Sequence, residues 1–244
     1  MVTFLTIFLV LNLNVLVRNT WETANLNGKF PFIPTVRTLQ HIQGVDWDRT
    51  WNCAAPEILT WNEPERQGIS PQVAAQFWYS HMVPLRQQRK KRLVSPSCAN
   101  DDNGKRWINE FMNLVASQKP DFLGIHLYHN NADEAIRYLQ AMHDKHQIPL
   151  YITEMASIDR NYKNVLEFTG KLCNFCDNTW WVERYALFAI MPRVADGFVS
   201  PAAQLLNSNG SFRDLLYKFI YDSPIHWENN SQAVAAGEGQ NAYQ

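Results

Sequence analysis

The chain has 244 residues and a mass of 28.3 kDa, which suits one large domain better than two small ones. Its 22 Lys and Arg nearly balance its 23 Asp and Glu, so the net charge of −1 leaves no electrostatic footprint for nucleic acid or an anionic membrane. Hydrophobic residues at 46% and nine Trp supply a sizeable core, while four Cys are too few for the disulfide framework of a small secreted domain.

Residues 2–17, VTFLTIFLVLNLNVLV, carry no charge and are followed by Arg18. The run is short and Asn-interrupted for a membrane span, and it lacks the basic start and small-residue cleavage site of a signal peptide. It also suits a buried strand, so signal-like leader, anchor and strand all stand. Six short apolar runs then read as strands: Phe30–Val36, Glu57–Asn62, Arg92–Ser95, Phe122–Tyr128, Pro149–Thr153 and Tyr185–Ile190, whose first residues lie 27 to 36 positions apart. Helix-period segments separate them. One opens with Ser70 as N-cap and Pro71 in its first turn, and carries Ala74, Phe77, Trp78 and Leu85 on one face. A second places Ile108, Phe111, Met112 and Val115 at helical spacing, and a third does the same with Ala135, Tyr138, Leu139 and Met142. The basic run RQQRKKR (86–92) reads as a solvated helix end. Cys173 and Cys176 form a C-x-x-C that closes the helical pattern of Val165, Phe168 and Leu172, the wrong place for a redox motif and without a second pair for zinc. His41, His81, His143 and His146 have no metal-ligand spacing, so neither metal nor cofactor is expected. A last helix near Ser211–Tyr221 follows the Asn209-Gly210 turn, and residues 223–244 read as a disordered polar tail. The sequons at Asn209 and Asn229 are compatible with secretion.

Strand–helix units of about 30 residues argue for parallel strands with helical crossovers. A doubly wound sheet and a (β/α)8 TIM barrel both fit, and the polar residues separate them. No glycine-rich phosphate loop follows any strand, whereas Trp61, Asn62 and Glu63, Ser95, His126 and Tyr128, and Glu154 all fall at C-terminal strand ends. That distribution selects an α/β (β/α)8 barrel over residues 19–222. Glu63 in LTWNEPE and Glu154 in YITEMA are 91 positions apart, three of the repeating units, so both carboxylates should face one mouth. Two carboxyls across a sugar are the equipment for cleaving a glycosidic bond. One protonates the leaving oxygen, and the other attacks the anomeric carbon or activates water.

The segments WNEPE, SPS, DFLGIHLYH, PLYITEMA and VERYALF, in that order between residues 30 and 222, together resemble the catalytic core of glycoside hydrolase family 128, the Asl1-like cell-wall β-1,3-glucanases. The resemblance implies a retaining endo-β-1,3-glucanase with Glu63 as acid/base and Glu154 as nucleophile, their carboxyls about 5–5.5 Å apart. It implies a secreted or cell-wall monomer whose partner is β-1,3-glucan polysaccharide or oligosaccharide. Asn62 is suited to the sugar 2-hydroxyl, and His126 and Tyr128 to orienting Glu154 or holding its charge. Trp61, Trp180 and Trp181 offer flat faces for sugar rings, while Trp107, on a helix, reads as packing. Glu183 and Arg184 read as an ion pair bracing the last strand.

Two features depart from the resemblance. Only 29 residues precede the Phe30 strand, which should be the third of eight, so the first βα unit is expected to be missing or altered, with residues 1–18 in its place. Met155 and Ser157 replace the aromatic and cysteine more often seen after the second glutamate. A non-catalytic glucan-binding cell-wall protein, or an inactive truncated barrel, is therefore the alternative.

Overall fold

The computed structural model describes residues 33–188, 190–193 and 197–228. The expectations for residues 1–18, the missing first unit and most of the polar tail lie outside them. Two compact units emerge. Among the described residues, one holds those up to Leu127 with Met142–Thr153 and Trp181–Ala186; the other holds Tyr128–Ala141, Glu154–Trp180 and those from Leu187 on.

The elements alternate as the sequence repeat demands: β1 (Thr35–Val36), α1 (Gly44–Asn52), β2 (Glu57–Asn62), α2 (Pro71–Phe77), α3 (Val83–Arg89), β3 (Arg92–Ser97), α4 (Asp102–Leu114), β4 (Leu123–His129), α5 (Ala132–His146), β5 (Leu150–Ser157), α6 (Tyr162–Asp177), β6 (Val182–Leu187) and α7 (Asp214–Tyr221). Strands pair in chain order, β1-β2-β3 and β4-β5-β6, and parallel bridges Val94↔Phe122 and Cys98↔Ile125 continue the order from β3 towards β4. Sequential parallel neighbours joined by helices are the product of repeated strand–helix units.

Within the first unit, Ile33, Leu59, Val94, Phe122 and Tyr151 form one buried cluster, each from a different strand or its approach. At the strand starts the fully buried Glu57 carboxylate accepts from Tyr151 Oη (3.0 Å), Arg184 Nε (3.3 Å) and the Arg92 guanidinium. A buried carboxylate is tolerated only with such a full set of donors. Side chains of β2, β3, β5 and β6 thus converge on one group. Glu183 and Arg184 do brace the last strand, though not with each other: Glu183 meets Arg92 at 3.6 Å and Arg184 meets Glu57.

Several elements differ from expectation for physical reasons. The helix opened by Ser70, whose Oγ accepts from Val73 N at 3.3 Å, breaks into α2, a π turn at Trp78–Met82 and α3. Pro84 has no N–H for the preceding turn, and the wider π turn absorbs the loss. The basic run is the solvated end of α3 over residues 87–90, as expected, but Arg86, Lys91 and Arg92 are engaged by the fold. Lys91 is buried with its Nζ donating to Cys53 O and Ala55 O at 2.6 Å each, Arg86 pairs with Asp121 at 3.0 Å, and Arg92 begins β3. The last strand is Val182–Leu187, not Tyr185–Ile190. In the second unit Cys173 and Cys176 lie buried within α6, and no disulfide forms among the described residues.

His146, at the end of α5, is buried with Nε2 3.0 Å from Asn109 Oδ1. Burial, with Lys145 and Lys119 adding to it, lowers its pKa to about 4. The unfolded chain takes up a proton near pH 6.5 that the fold resists, so stability is full above that pH and declines as pH falls towards 4. The loss should reach about 2–3 kcal/mol. His146→Gln keeps an N–H for Asn109 and should flatten this part of the pH dependence in urea unfolding between pH 7 and 4.5. Equal slopes for the two proteins would contradict the assignment.

Candidate active site

In the first unit, the end of β2 is built around Pro96. Lacking an N–H, Pro96 interrupts the β2–β3 ladder, and the register shifts on both sides of the Thr60↔Pro96 pair before Asn62 meets Ser97. Just beyond, Glu63 adopts φ 44°, ψ 58°, a left-handed conformation that a non-glycine residue before proline resists. Glu63 N donates to Ser97 O (2.8 Å) and Arg66 N to Glu63 O (2.9 Å), which hold it there. The carboxyl reaches His126 on β4, with Oε1 2.9 Å from Nδ1, and Oε2 lies 3.5 Å from Arg66 Nε. His126 is 2% exposed, whereas the Glu63 side chain is 23% exposed, so the imidazole is fixed and the carboxyl remains reachable from solvent. Asn62 is half-buried; its N–H donates to Arg37 O at 3.2 Å and its carbonyl accepts from Gln67 Nε2.

In the second unit, Glu154 lies inside β5 rather than at its end, because the strand continues to Ser157. Its carboxyl is buried at 3% exposure, and Tyr128 Oη donates to Oε2. Tyr128 in turn is held edge-on by Phe188 (5.8 Å) and Phe198 (5.1 Å). Buried carboxylates need donors, and this hydroxyl is one.

Two sequence-derived sugar platforms are corrected. Trp61 is fully buried, so neither ring face meets a ligand, and its Nε1 finds no acceptor among the described residues. Its strand position suggests a rim residue, but β2 carries it inward. Trp181 precedes β6 and stacks on His143 at 4.6 Å and 6°, with its carbonyl accepting from Leu150 N, the first residue of β5. That is the strand-start edge, whereas Glu63 follows the last residue of β2. Trp107 is packing, as expected: buried, stacked on Phe111 at 5.5 Å, and donating to Ile69 O at 2.6 Å. Arg66, Phe188 and Phe198 are neighbours that the sequence reading missed. For Arg66 the signal was present, because Pro64 forces a turn that brings the third residue after Glu63 back beside it.

Among the described residues no group of three or more His, Cys, Asp or Glu is disposed to hold a metal ion, and no helix is long and apolar enough to cross a membrane.

Carboxyls presented from the strands of a parallel α/β scaffold are compatible with glycoside chemistry, among others. The chain belongs to the glycosyl hydrolase catalytic core family, whose model matches residues 18–219, and within it to glycoside hydrolase family 128. It is similar to a crystal structure of a subgroup VI exo-β-1,3-glucanase of that family from Aureobasidium namibiae, at 46% identity and a TM-score of 0.84, covering 85% of this chain and 84% of that one. It is 26% identical over 164 residues to alkali-sensitive linkage protein 1 of Schizosaccharomyces pombe, covering 63% of this chain but only 30% of that protein's length. A subgroup VII oligosaccharide-binding protein from Cryptococcus neoformans shares the fold at 16% identity and a TM-score of 0.65, covering 81% of each chain.

Proposed function

We propose that the chain is a retaining glycoside hydrolase acting on β-1,3-glucan, with Glu154 as nucleophile and Glu63 as acid/base on a (β/α)8 scaffold. The observation that carries this reading is the way the two glutamates are held. His126 and Tyr128 stand two residues apart on β4, the spacing that puts side chains on one face of a strand, and each is hydrogen-bonded to one of the glutamates.

In the first step the Glu154 carboxylate attacks the anomeric carbon as the glycosidic C–O bond breaks, and Glu63 delivers its proton to the leaving oxygen. A glycosyl ester on Glu154 results. In the second step Glu63, now ionised, takes a proton from water. The water oxygen attacks the anomeric carbon, releasing the Glu154 carboxylate and a sugar of unchanged anomeric configuration. His126 holds Glu63 in place through both proton transfers. Tyr128 keeps Glu154 aligned and stabilises its charge before attack. Asn62 is assigned to the 2-hydroxyl contact of the sugar.

The substrate and cleavage mode follow the Aureobasidium namibiae relative, a β-1,3-glucanase of exo type. Exo cleavage is proposed here in place of the endo mode expected from the sequence, and a cell-wall or extracellular place goes with the substrate. Mono- or disaccharide as the sole early product from linear β-1,3-glucan supports the exo mode; a ladder of oligosaccharides returns it to endo. Binding without cleavage remains the second reading, favoured by the oligosaccharide-binding relative of shared fold.

Tyr128→Phe tests the support of Glu154 directly. Loss of one hydrogen bond to a charged group should lower kcat by about 10–100-fold with little change in KM. Unchanged kcat would remove Tyr128 from the site.

A further inference from the structure

We infer that Glu65 is a positioning residue that keeps Glu63 in its working conformation, an inference resting on the assignment of Glu63 as acid/base. Glu65 lies two residues beyond Glu63, on the one-turn helix Pro64–Arg66, and faces the segment after β3. Its Oε1 accepts from Ala99 N at 2.9 Å. Its Oε2 is buried and has no hydrogen-bond partner among the described residues. Burial raises the pKa of this carboxyl against the pull of the Ala99 N–H, and the neighbouring Cys98 thiol shares a hydrogen bond with it. A half-buried carboxyl with an unpartnered oxygen is costly, and such costs cluster where a site needs a fixed geometry.

What Glu65 grips is itself immobile. A Cβ on Gly104 would lie 2.0 Å from Ala99 O, so the start of α4 presses directly on the Ala99 peptide. Asp101 caps that helix by accepting from Gly104 N (2.8 Å) and also pairs with Arg66 at 2.8 Å. The end of β2 is therefore tied to residues 97–99 at two points: Glu63 N to Ser97 O, and the Glu65 carboxyl to Ala99 N. Between the two ties lies the left-handed Glu63, whose strain needs opposition on both sides. Releasing the second tie lets residue 63 relax towards the extended conformation that a pre-proline residue prefers, carrying its carboxyl away from His126.

The test compares Glu65→Gln, Glu65→Asp and Glu65→Ala. Gln retains an oxygen for Ala99 N, whereas Asp keeps the charge but falls short of it. Two readouts are taken on each folded protein: kcat and KM on linear β-1,3-glucan, and the NMR titration of His126. The groups that bear on that titration are Glu63 beside the ring, Arg66 and Glu65 on the turn, and Cys98 and Asp101 after β3. Glu65→Ala and Glu65→Asp should lower kcat by about 10–100-fold with KM within about threefold, and should move the His126 titration towards that of Glu63→Gln. Glu65→Gln should keep most of the wild-type kcat and the wild-type titration. If the Ala variant does not fold, the Gln and Asp pair decides. Equal damage from Gln and Asp, or a His126 titration unmoved in Asp, overturns the inference. A folded wild type without turnover would instead sink the proposed activity, and the His126 titration alone would then judge Glu65.

Discussion

Glu154→Gln is expected to abolish release of sugar from β-1,3-glucan, by about 10⁴-fold or more, while leaving the fold intact and glucan binding measurable. The amide is nearly isosteric with the carboxyl it replaces and still offers an oxygen to Tyr128 Oη. It cannot form the glycosyl ester, because a neutral amide oxygen is a poor nucleophile. Stability should hold or rise, since a side chain only 3% exposed no longer bears a charge. Urea unfolding and isothermal titration with a β-1,3-gluco-oligosaccharide check both parts. A variant with wild-type turnover would remove Glu154 from the mechanism. Binding lost together with activity would mean that the carboxyl positions substrate rather than attacking it.

Glu63→Asn should likewise separate chemistry from stability. Turnover of glucan should fall by about 10²–10⁴-fold, the range of a lost general acid/base. Asn tolerates the left-handed backbone that Glu63 occupies at φ 44°, so the fold should be as stable as wild type or up to about 1 kcal/mol more stable. An aryl glucoside with a strongly acidic leaving phenol needs no proton for the first step. With it the variant should form the glycosyl-enzyme normally and then stall, and azide should rescue turnover with a product of β configuration. Rescue with α configuration would reverse the roles of the two glutamates. A clear loss of stability would show that the Glu63 carboxyl is part of the fold's support rather than a strained functional group.

Much of this was legible because strand–helix repetition writes itself in hydrophobic periodicity. The strand Glu57–Asn62 agrees to the residue, and Ser70 and Pro71 announced a helix start that the structure keeps. The glutamates stood out because a carboxyl next to a buried strand demands a reason. Boundaries set by backbone chemistry were less visible. The π turn before Pro84 and the register shift at Pro96 arise from missing N–H groups, whose consequences depend on which strand or turn lies opposite. The two tryptophans failed for a different reason. Composition marks Trp as a candidate sugar platform, but only packing decides whether a ring face stays open, and Trp61 is enclosed while Trp181 is taken by His143. The basic run was legible in part: residues 87–90 are the solvated helix end that charge density suggests, whereas carbonyl oxygens just before β2 claim Lys91 and a buried carboxylate claims Arg92.

Glu65 illustrates what a motif conceals. In WNEPE, Glu63 attracts attention through its place beside the strand, while Glu65 has the sequence context of a solvated neighbour. Its hydrogen bond to Ala99 depends on the segment after β3 returning to the same spot, which sequence spacing does not record.

The most direct measurement is the anomeric configuration of the first sugar released from linear β-1,3-glucan, followed by NMR before mutarotation, with Glu154→Gln alongside. The β-anomer from wild type, and nothing from the variant, is the outcome a retaining pair of Glu63 and Glu154 predicts. The α-anomer would contradict retention, and a folded wild-type chain that binds glucan without releasing any sugar would make it a binding protein.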